Sequence, residues 1–246
     1  MNRKINFAVI GTGRIGSMHV ANIVNQVPEA NLVAICDIRL DVAQAVADKW
    51  GITRVVRDYH ELLADETIEA VLIATTTSTH AEIIKDCANA GKHIFCEKPI
   101  ALDLAKIDEA LEAVDLAGVK LQVGFNRRFD KSFQKVREIV KSGELGRPCM
   151  LKITNRDPEL PSREFLRVSG GLFLDMTIHD FDMAQFQIGE VTEVYATGSV
   201  LIDSELEEFG DLDTALITLK FKDGTIGSID NSRQAVYGYD QRLEVF

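Results

Sequence analysis

Gly11-Thr12-Gly13-Arg14-Ile15-Gly16 follows the apolar run 5–10 and opens an amphipathic stretch. Between a strand and a helix this spacing suits phosphate chemistry. The first glycine permits a tight turn, the second lets the backbone approach a pyrophosphate, and the third lets the helix pack closely on the strand. The pyrophosphate would rest on the free N–H groups and positive dipole end of the helix, against Thr12, Arg14 and Ile15. Asp37 closes the next apolar run, 21 residues after Gly16, where a carboxylate accepts hydrogen bonds from both hydroxyls of an adenosine ribose. The acid favours NAD, because the 2′-phosphate of NADP would meet a like charge, while Arg39 two positions on softens that discrimination. The plain alternative is a glycine turn beside a surface acid.

Further candidates fall at the ends of later apolar runs. Thr75 and Thr77 follow the run 70–75, and Glu97-Lys98-Pro99 follows 93–96. In an open parallel sheet ligands lie across the carboxyl ends of the strands, so these hydroxyls, Glu97 and Lys98 are aimed at a cleft. His80 falls in the first turn of the next helix, either beside the cofactor or bonded locally at the helix start. Far downstream, Gly170-Gly171-Leu172-Phe173-Leu174-Asp175-Met176-Thr177-Ile178-His179-Asp180-Phe181-Asp182 sets Asp175 and His179 four apart, on one helical face, with Asp182 further along. An amine, an imidazole and a carboxylate can thus converge. A metal held by Asp175, His179 and Asp182 is conceivable, but hydride chemistry on a dinucleotide needs none, and no metal is expected.

The elements that must position these groups can be read from periodicity. Strands are predicted over 5–10, 31–36, 70–75, 93–96 and 121–123, with a weaker one at 54–56, and helices over 14–27, 41–50, 79–90 and 103–117. This alternation predicts a doubly wound parallel α/β domain over residues 1–124. Beyond Gly124 a basic turn, a helix over 131–142, strands at 150–155, 191–201, 214–220 and 225–230, and a helix over 175–188 predict an α+β domain, 125–246, with an open, mainly antiparallel sheet. Asp223-Gly224 is its hairpin turn. The acid-rich stretch 203–213 reads as a solvated loop. Because the chain stops inside the apolar run 243–246, the sheet is expected to continue in a longer natural protein.

A net charge of −11 argues against a nucleic-acid surface, and no apolar stretch approaches the length of a membrane span. The opening Met1-Asn2-Arg3-Lys4 followed by apolar residues looks like a short signal peptide, but Gly11, Gly13 and Arg14 interrupt it, so a cytoplasmic location is expected. Cys36, Cys87, Cys96 and Cys149 lack metal-ligand spacing and read as reduced core residues.

The Gly11 motif, Glu97-Lys98-Pro99, Gly124-Phe125-Asn126-Arg127-Arg128 and the 170–182 run together resemble the Gfo/Idh/MocA oxidoreductases across the whole chain. Asn231-Ser232-Arg233-Gln234-Ala235-Val236-Tyr237-Gly238-Tyr239-Asp240-Gln241 is most similar to the inositol-oxidising branch. The resemblance implies a Rossmann domain followed by an α/β domain with an open sheet, NAD as cofactor and a tetramer built through that sheet. It implies Lys98, Asp175 and His179 as a catalytic triad, with Asn126, Arg127, Asp157 and Tyr239 as further substrate contacts. It also implies oxidation of a cyclic polyol, myo-inositol to 2-keto-myo-inositol, with another inositol, a pyranose or a non-catalytic dinucleotide-binding role as alternatives. Asp157 before Pro158 also reads as a turn residue, and Tyr237 and Tyr239 read as sharing one face of a strand.

Overall fold

The computed structural model describes residues 3–246, so the first two residues of the basic opening lie outside it. The chain divides into two compact units, one ending at Gly124 and the other comprising Phe125–Phe246.

In the first unit, strands β1 (Ile5–Ile10), β2 (Ala30–Cys36), β3 (Val55–Val56), β4 (Ala70–Ile73), β5 (His93–Cys96) and β6 (Leu121–Val123) alternate with helices α1 (Arg14–Gln26), α2 (Leu40–Trp50), the single turn α3 (His60–Leu63), α4 (Thr77–Asn89) and α5 (Leu104–Ala117). All strand pairs are parallel, in the order β3-β2-β1-β4-β5-β6. Alternation along the strands feeds two cores. Ala8 and Ile10 join Val71, Ile73, Ile94 and Cys96 under Ile84 and Cys87 of α4 and Val114 of α5. Val9, Ile35 and Leu72 face the other way, against Val20 and Ile23 of α1 and Ala43 and Ala47 of α2. The chain leaves β3 at one edge and restarts at β4 beside β1, so the loop after β1 sits where the strand order reverses, the usual ligand position in such sheets.

The second unit holds helices α6 (Lys131–Ser142), α7 (Arg163–Leu166) and α8 (Ile178–Gln187) and strands β7 (Met150–Arg156), β8 (Val191–Ser199), β9 (Thr214–Phe221), β10 (Ile226–Ser232) and β11 (Asp240–Val245). The order is β11-β7-β10-β9-β8, and the β7–β10 pair is parallel, so the sheet is mixed and mostly antiparallel. Gly224, at φ +90°, forms the expected β9–β10 turn. β11 was legible only as the apolar run 243–246. Its pairing with β7 makes it an edge strand. One face is covered: Leu151, Ile153, Ile217, Leu219, Phe221 and Ile229 pack with Leu172, Met176, Met183 and Ala184. On the opposite face Met150, Leu216, Ile226 and, on β8, Tyr195 are exposed.

Two expectations are corrected. Cys36, Cys87 and Cys96 are buried, and burial pushes the Cys36 and Cys87 thiols up to about 12, but Cys149 is exposed. Nor is 203–213 merely a solvated loop. It contains the 3₁₀ turn Ser204–Phe209 with Leu206 buried, and Asp213 has no exposed surface. The Asp213 carboxylate accepts the N–H groups of Leu201, Ile202 and Asp203 and the Thr214 hydroxyl. Burial opposes its ionisation, yet these donors prevail and hold the carboxyl below its ordinary value. The stabilisation is therefore complete above the unfolded carboxyl pKa of about 3.9 and is lost as pH falls below that toward the folded value. Asp213→Ala leaves three partly buried N–H groups without this acceptor and is expected to cost about 1–2 kcal/mol at pH 7 in urea unfolding, with the gap to the native chain closing below about pH 4. A gap equally large at pH 3 would contradict the account.

Candidate active site

The loop after β1 is built by backbone contacts that only glycine tolerates. Gly11 lies at φ +92°, and a Cβ there would sit 2.6 Å from the Ala74 carbonyl oxygen; a Cβ on Gly16 would sit 1.9 Å from the carbonyl oxygen of Gly11. Around Gly13 a Cβ would meet nothing within 4 Å, so this is the open face of the turn. The N-terminus of α1 has no side-chain cap and no acid in its first turn. Its N–H groups and dipole are therefore suited to an anion, and these residues fit the pyrophosphate of a dinucleotide. Arg14 is exposed beside them and Ile15 half-buried.

Asp37 locks this loop to the end of β2. Its Oδ2 accepts from the N–H of Thr12 at 2.8 Å and from the Thr12 hydroxyl at 3.0 Å, and its Oδ1 accepts from the N–H of Arg39 at 2.9 Å. Burial opposes the charge, but the Arg39 and Thr12 donors and the Arg39 guanidinium outweigh it, so the carboxyl titrates below its ordinary range. An ionised acceptor thus stands where an adenosine ribose would need one.

Thr75 lies two residues beyond β4 and Thr77 begins α4; the Thr75 hydroxyl pairs with that of Thr79 at 2.7 Å. His80 is buried, with Nδ1 2.8 Å from the Pro99 carbonyl and Nε2 3.2 Å from the Thr75 carbonyl. These contacts make it a strut between the residues after β4 and the segment after β5. That strut supports the Lys98–Pro99 turn, whose peptide is cis. Glu97 has a partner not anticipated above: its Oε1 lies 2.6 Å from His19 Nε2 on α1.

In the second unit, the helix bearing the other candidates begins irregularly. Gly170 and Gly171 take positive φ, the Asp211 carboxylate accepts the N–H of Leu172 at 2.7 Å, and Phe173–Thr177 is a π turn before α8. A four-residue step stays near one turn in either geometry, so Asp175 and His179 remain on adjoining parts of one face. Both are half-buried, and Phe125 stands edge-on to the His179 ring at 6.5 Å between centroids.

The next residue is buried in a polar ring. Asp180 has no exposed surface; its Oδ1 accepts from Arg127 at 2.5 Å and its Oδ2 from the amides of Asn155 and Asn231 at 2.9 Å each. Asn231 Oδ1 in turn accepts the Thr177 hydroxyl. Burial pushes the Asp180 carboxyl up, while Arg127 and the two amides pull it back. Arg127, expected among the substrate contacts, is thus engaged in seating the helix. Asp182, expected beside Asp175 and His179, is held by the Arg128 guanidinium through contacts of 2.6–3.0 Å. Arg127-Arg128 against Asp180-Phe181-Asp182 was the complementary signal available in the sequence.

Asn126 is exposed in the 3₁₀ turn Asn126–Phe129. Asp157 follows β7 and is half-buried, its N–H bonded to the Ser232 carbonyl. Tyr237 and Tyr239 do not share a strand face. Residues 233–239 form a loop with Gly238 at φ +107°, Tyr237 bonds Asp240 and Arg156, and Tyr239 is exposed. A residue not anticipated is Arg233, fully buried, with Nη1 3.3 Å from Asp175 Oδ2 and 3.8 Å from Asp157 Oδ2. A lone arginine in a polar run gives no periodic sign of burial.

Residues 5–125 match the oxidoreductase family with an NAD-binding Rossmann fold, and residues 133–246 match the GFO/IDH/MocA C-terminal domain. The chain belongs to the Gfo/Idh/MocA oxidoreductase family. It is 51% identical over 243 residues to the myo-inositol 2-dehydrogenase of Thermotoga maritima, covering 98% of this chain and 72% of that protein. It is 46% identical to the inositol 2-dehydrogenase of Rhizobium meliloti, over 98% and 72% of the two chains. The structure of scyllo-inositol dehydrogenase from Lactobacillus casei with bound cofactor NAD(H) and scyllo-inositol matches at 30% identity and a TM-score of 0.92, over 99% of this chain and 74% of that one. For this Gfo/Idh/MocA protein the dinucleotide is NAD, and the glycine loop supplies a direct check. Gly16→Ala, whose Cβ collides with backbone, is expected to weaken NAD binding by at least about tenfold, roughly 1.4 kcal/mol, in a fluorescence titration. Unchanged affinity would detach that contact from the cofactor.

Proposed function

We propose that the chain oxidises the axial secondary alcohol of myo-inositol to 2-keto-myo-inositol, with NADH and a proton released. The observation that carries this reading is the seat of the α8 segment. A buried ionic ring holds His179 one turn after Asp175, at the polar end of the sheet where Asp157 and Arg233 also lie. Likeness to inositol 2-dehydrogenases over nearly the whole chain supports the same reaction.

The chemistry follows from the groups assigned. Hydride leaves a carbinol carbon only as the hydroxyl proton also leaves. An imidazole, with an unperturbed pKa of about 6.5, is mostly neutral at physiological pH and suits the base. His179 takes the hydroxyl proton, and Asp175 orients the ring and stabilises the imidazolium. Lys98 donates to the reacting oxygen and favours its developing negative charge. The bound dinucleotide supplies the hydride acceptor, while Gly11 to Gly16 and Asp37 hold it in place. Asp157, Asn126 and Tyr239 are assigned to the remaining hydroxyls of a polyol.

A second reading takes scyllo-inositol as the substrate, favoured by the likeness to the Lactobacillus casei enzyme. One exchanged hydrogen-bond partner is enough to invert such a preference. We also assign the exposed sheet face bearing Leu216, Ile226 and Tyr195 to contact between copies of the chain in a tetramer.

NADH absorbance with NAD or NADP and a panel of inositols and pyranoses tests the assignment. Turnover is expected with NAD and an inositol. His179→Ala should lower kcat by about 10²-fold or more while leaving NAD affinity unchanged, and Asp37→Ala should chiefly weaken NAD binding. No turnover with any polyol would favour a dinucleotide sensor, and native turnover in the His179 variant would remove it from the mechanism.

A further inference from the structure

Arg233, directly after β10, is the largest side chain in the chain with less than 2% exposure. Its Nη1 meets two carboxylates, Asp175 at 3.3 Å and Asp157 at 3.8 Å, while Nε and Nη2 have no hydrogen-bond partner among the described residues. Arginine stays charged, and burying it with two donors unmet costs stability that only the opposing carboxylates offset. A core designed for stability alone would hold an apolar residue here. The two carboxylates are also those assigned above to the reaction. Asp157 faces Arg233, Asp175, Arg127 and Asp180; Arg127 is committed to Asp180, and Arg233 reaches both Asp157 and Asp175.

We propose that Arg233 is a positioning residue for the dehydrogenation: it bridges Asp157 and Asp175, fixing Asp175 as the oriented anionic partner of His179 and Asp157 as an ionised acceptor for a polyol hydroxyl. This rests on the reading of His179 as the base. The planar guanidinium suits the task because it can address two carboxylates in fixed directions, which an ammonium on a flexible stem cannot. Burial already pushes the Asp157 carboxyl up, with Arg233 and Arg127 opposing and Asp175 and Asp180 reinforcing the push. Without the Arg233 cation Asp157 titrates higher still.

The test is steady-state kinetics of the full chain with NAD and myo-inositol, on R233Q and R233K, with NAD affinity measured separately. R233Q is expected to lose about 30-fold or more in kcat with NAD affinity held within about twofold, and the acid limb of its kcat/KM profile should move up by about one pH unit. R233K keeps the charge without the fork; it should recover kcat to about five- to tenfold below native, with the acid limb back in place. The proposal is overturned if R233Q stays within about threefold of native kcat, or if R233K is no better than R233Q and neither moves the acid limb. Where R233Q does not fold, R233K alone decides, and a kcat within about threefold of native overturns the proposal. A native chain that binds NAD but turns over no polyol overturns the underlying reading instead, and this proposal with it.

Discussion

A carboxylate with no exposed surface can be kept in a protein interior only if its charge and lone pairs are met, and Asp180 is met from three directions. Arg127 comes from the turn that opens the second unit, Asn155 from the end of β7 and Asn231 from the end of β10. Strands β7 and β10 pair in parallel with Asn155 opposite Asn231, so the two amides arrive side by side on the covered face of the sheet. That face is apolar through Leu151, Ile153, Gly227 and Ile229 and turns polar only there. Sliding α8 along the sheet would move the carboxylate off its amides onto hydrocarbon. The ring therefore fixes the axial position of the helix, and with it the preceding residue, His179.

The first unit solves a similar problem with backbone. There the constraint falls on Gly11 and Gly16, where any side chain would collide with a carbonyl, while the turn is open at Gly13. Asp37 ties that loop to the next strand through Thr12. The acid proposed for the ribose is thus also the group that holds the glycine turn in shape.

Much of this was legible in the sequence because it is local. Strand, glycines, helix and acid follow one another within 37 residues, and β5, β6 and α6 fall on the predicted residues because their apolar periods are short and sharply bounded. What escaped depends on long-range partners. Asp180 and Asp182 lie more than fifty residues from Arg127 and Arg128. Asp211 and Asp213 look like parts of an acidic loop until the N–H groups of Leu172, Leu201 and Ile202 are seen to converge on them. Tyr237 and Tyr239 alternate around a glycine as in a strand, yet Gly238 at positive φ ends any pleat. In each case periodicity describes what faces the core, whereas a buried charge is placed by whatever answers it.

The charges of the second unit then sort by how fully they are answered. Asp182 is gripped by the Arg128 fork, Asp180 is closed within its ring, and Asp213 is saturated by backbone N–H groups. Each of these carboxylates is engaged by several donors in holding the fold. Asp157 and Asp175 differ: both are half-buried rather than enclosed, and one guanidinium, Arg233, reaches both. In the proposed reaction Asp157 and Asp175 act from half-buried positions beside the imidazole, and the enclosed acids supply the rigidity that keeps the segment carrying them from drifting.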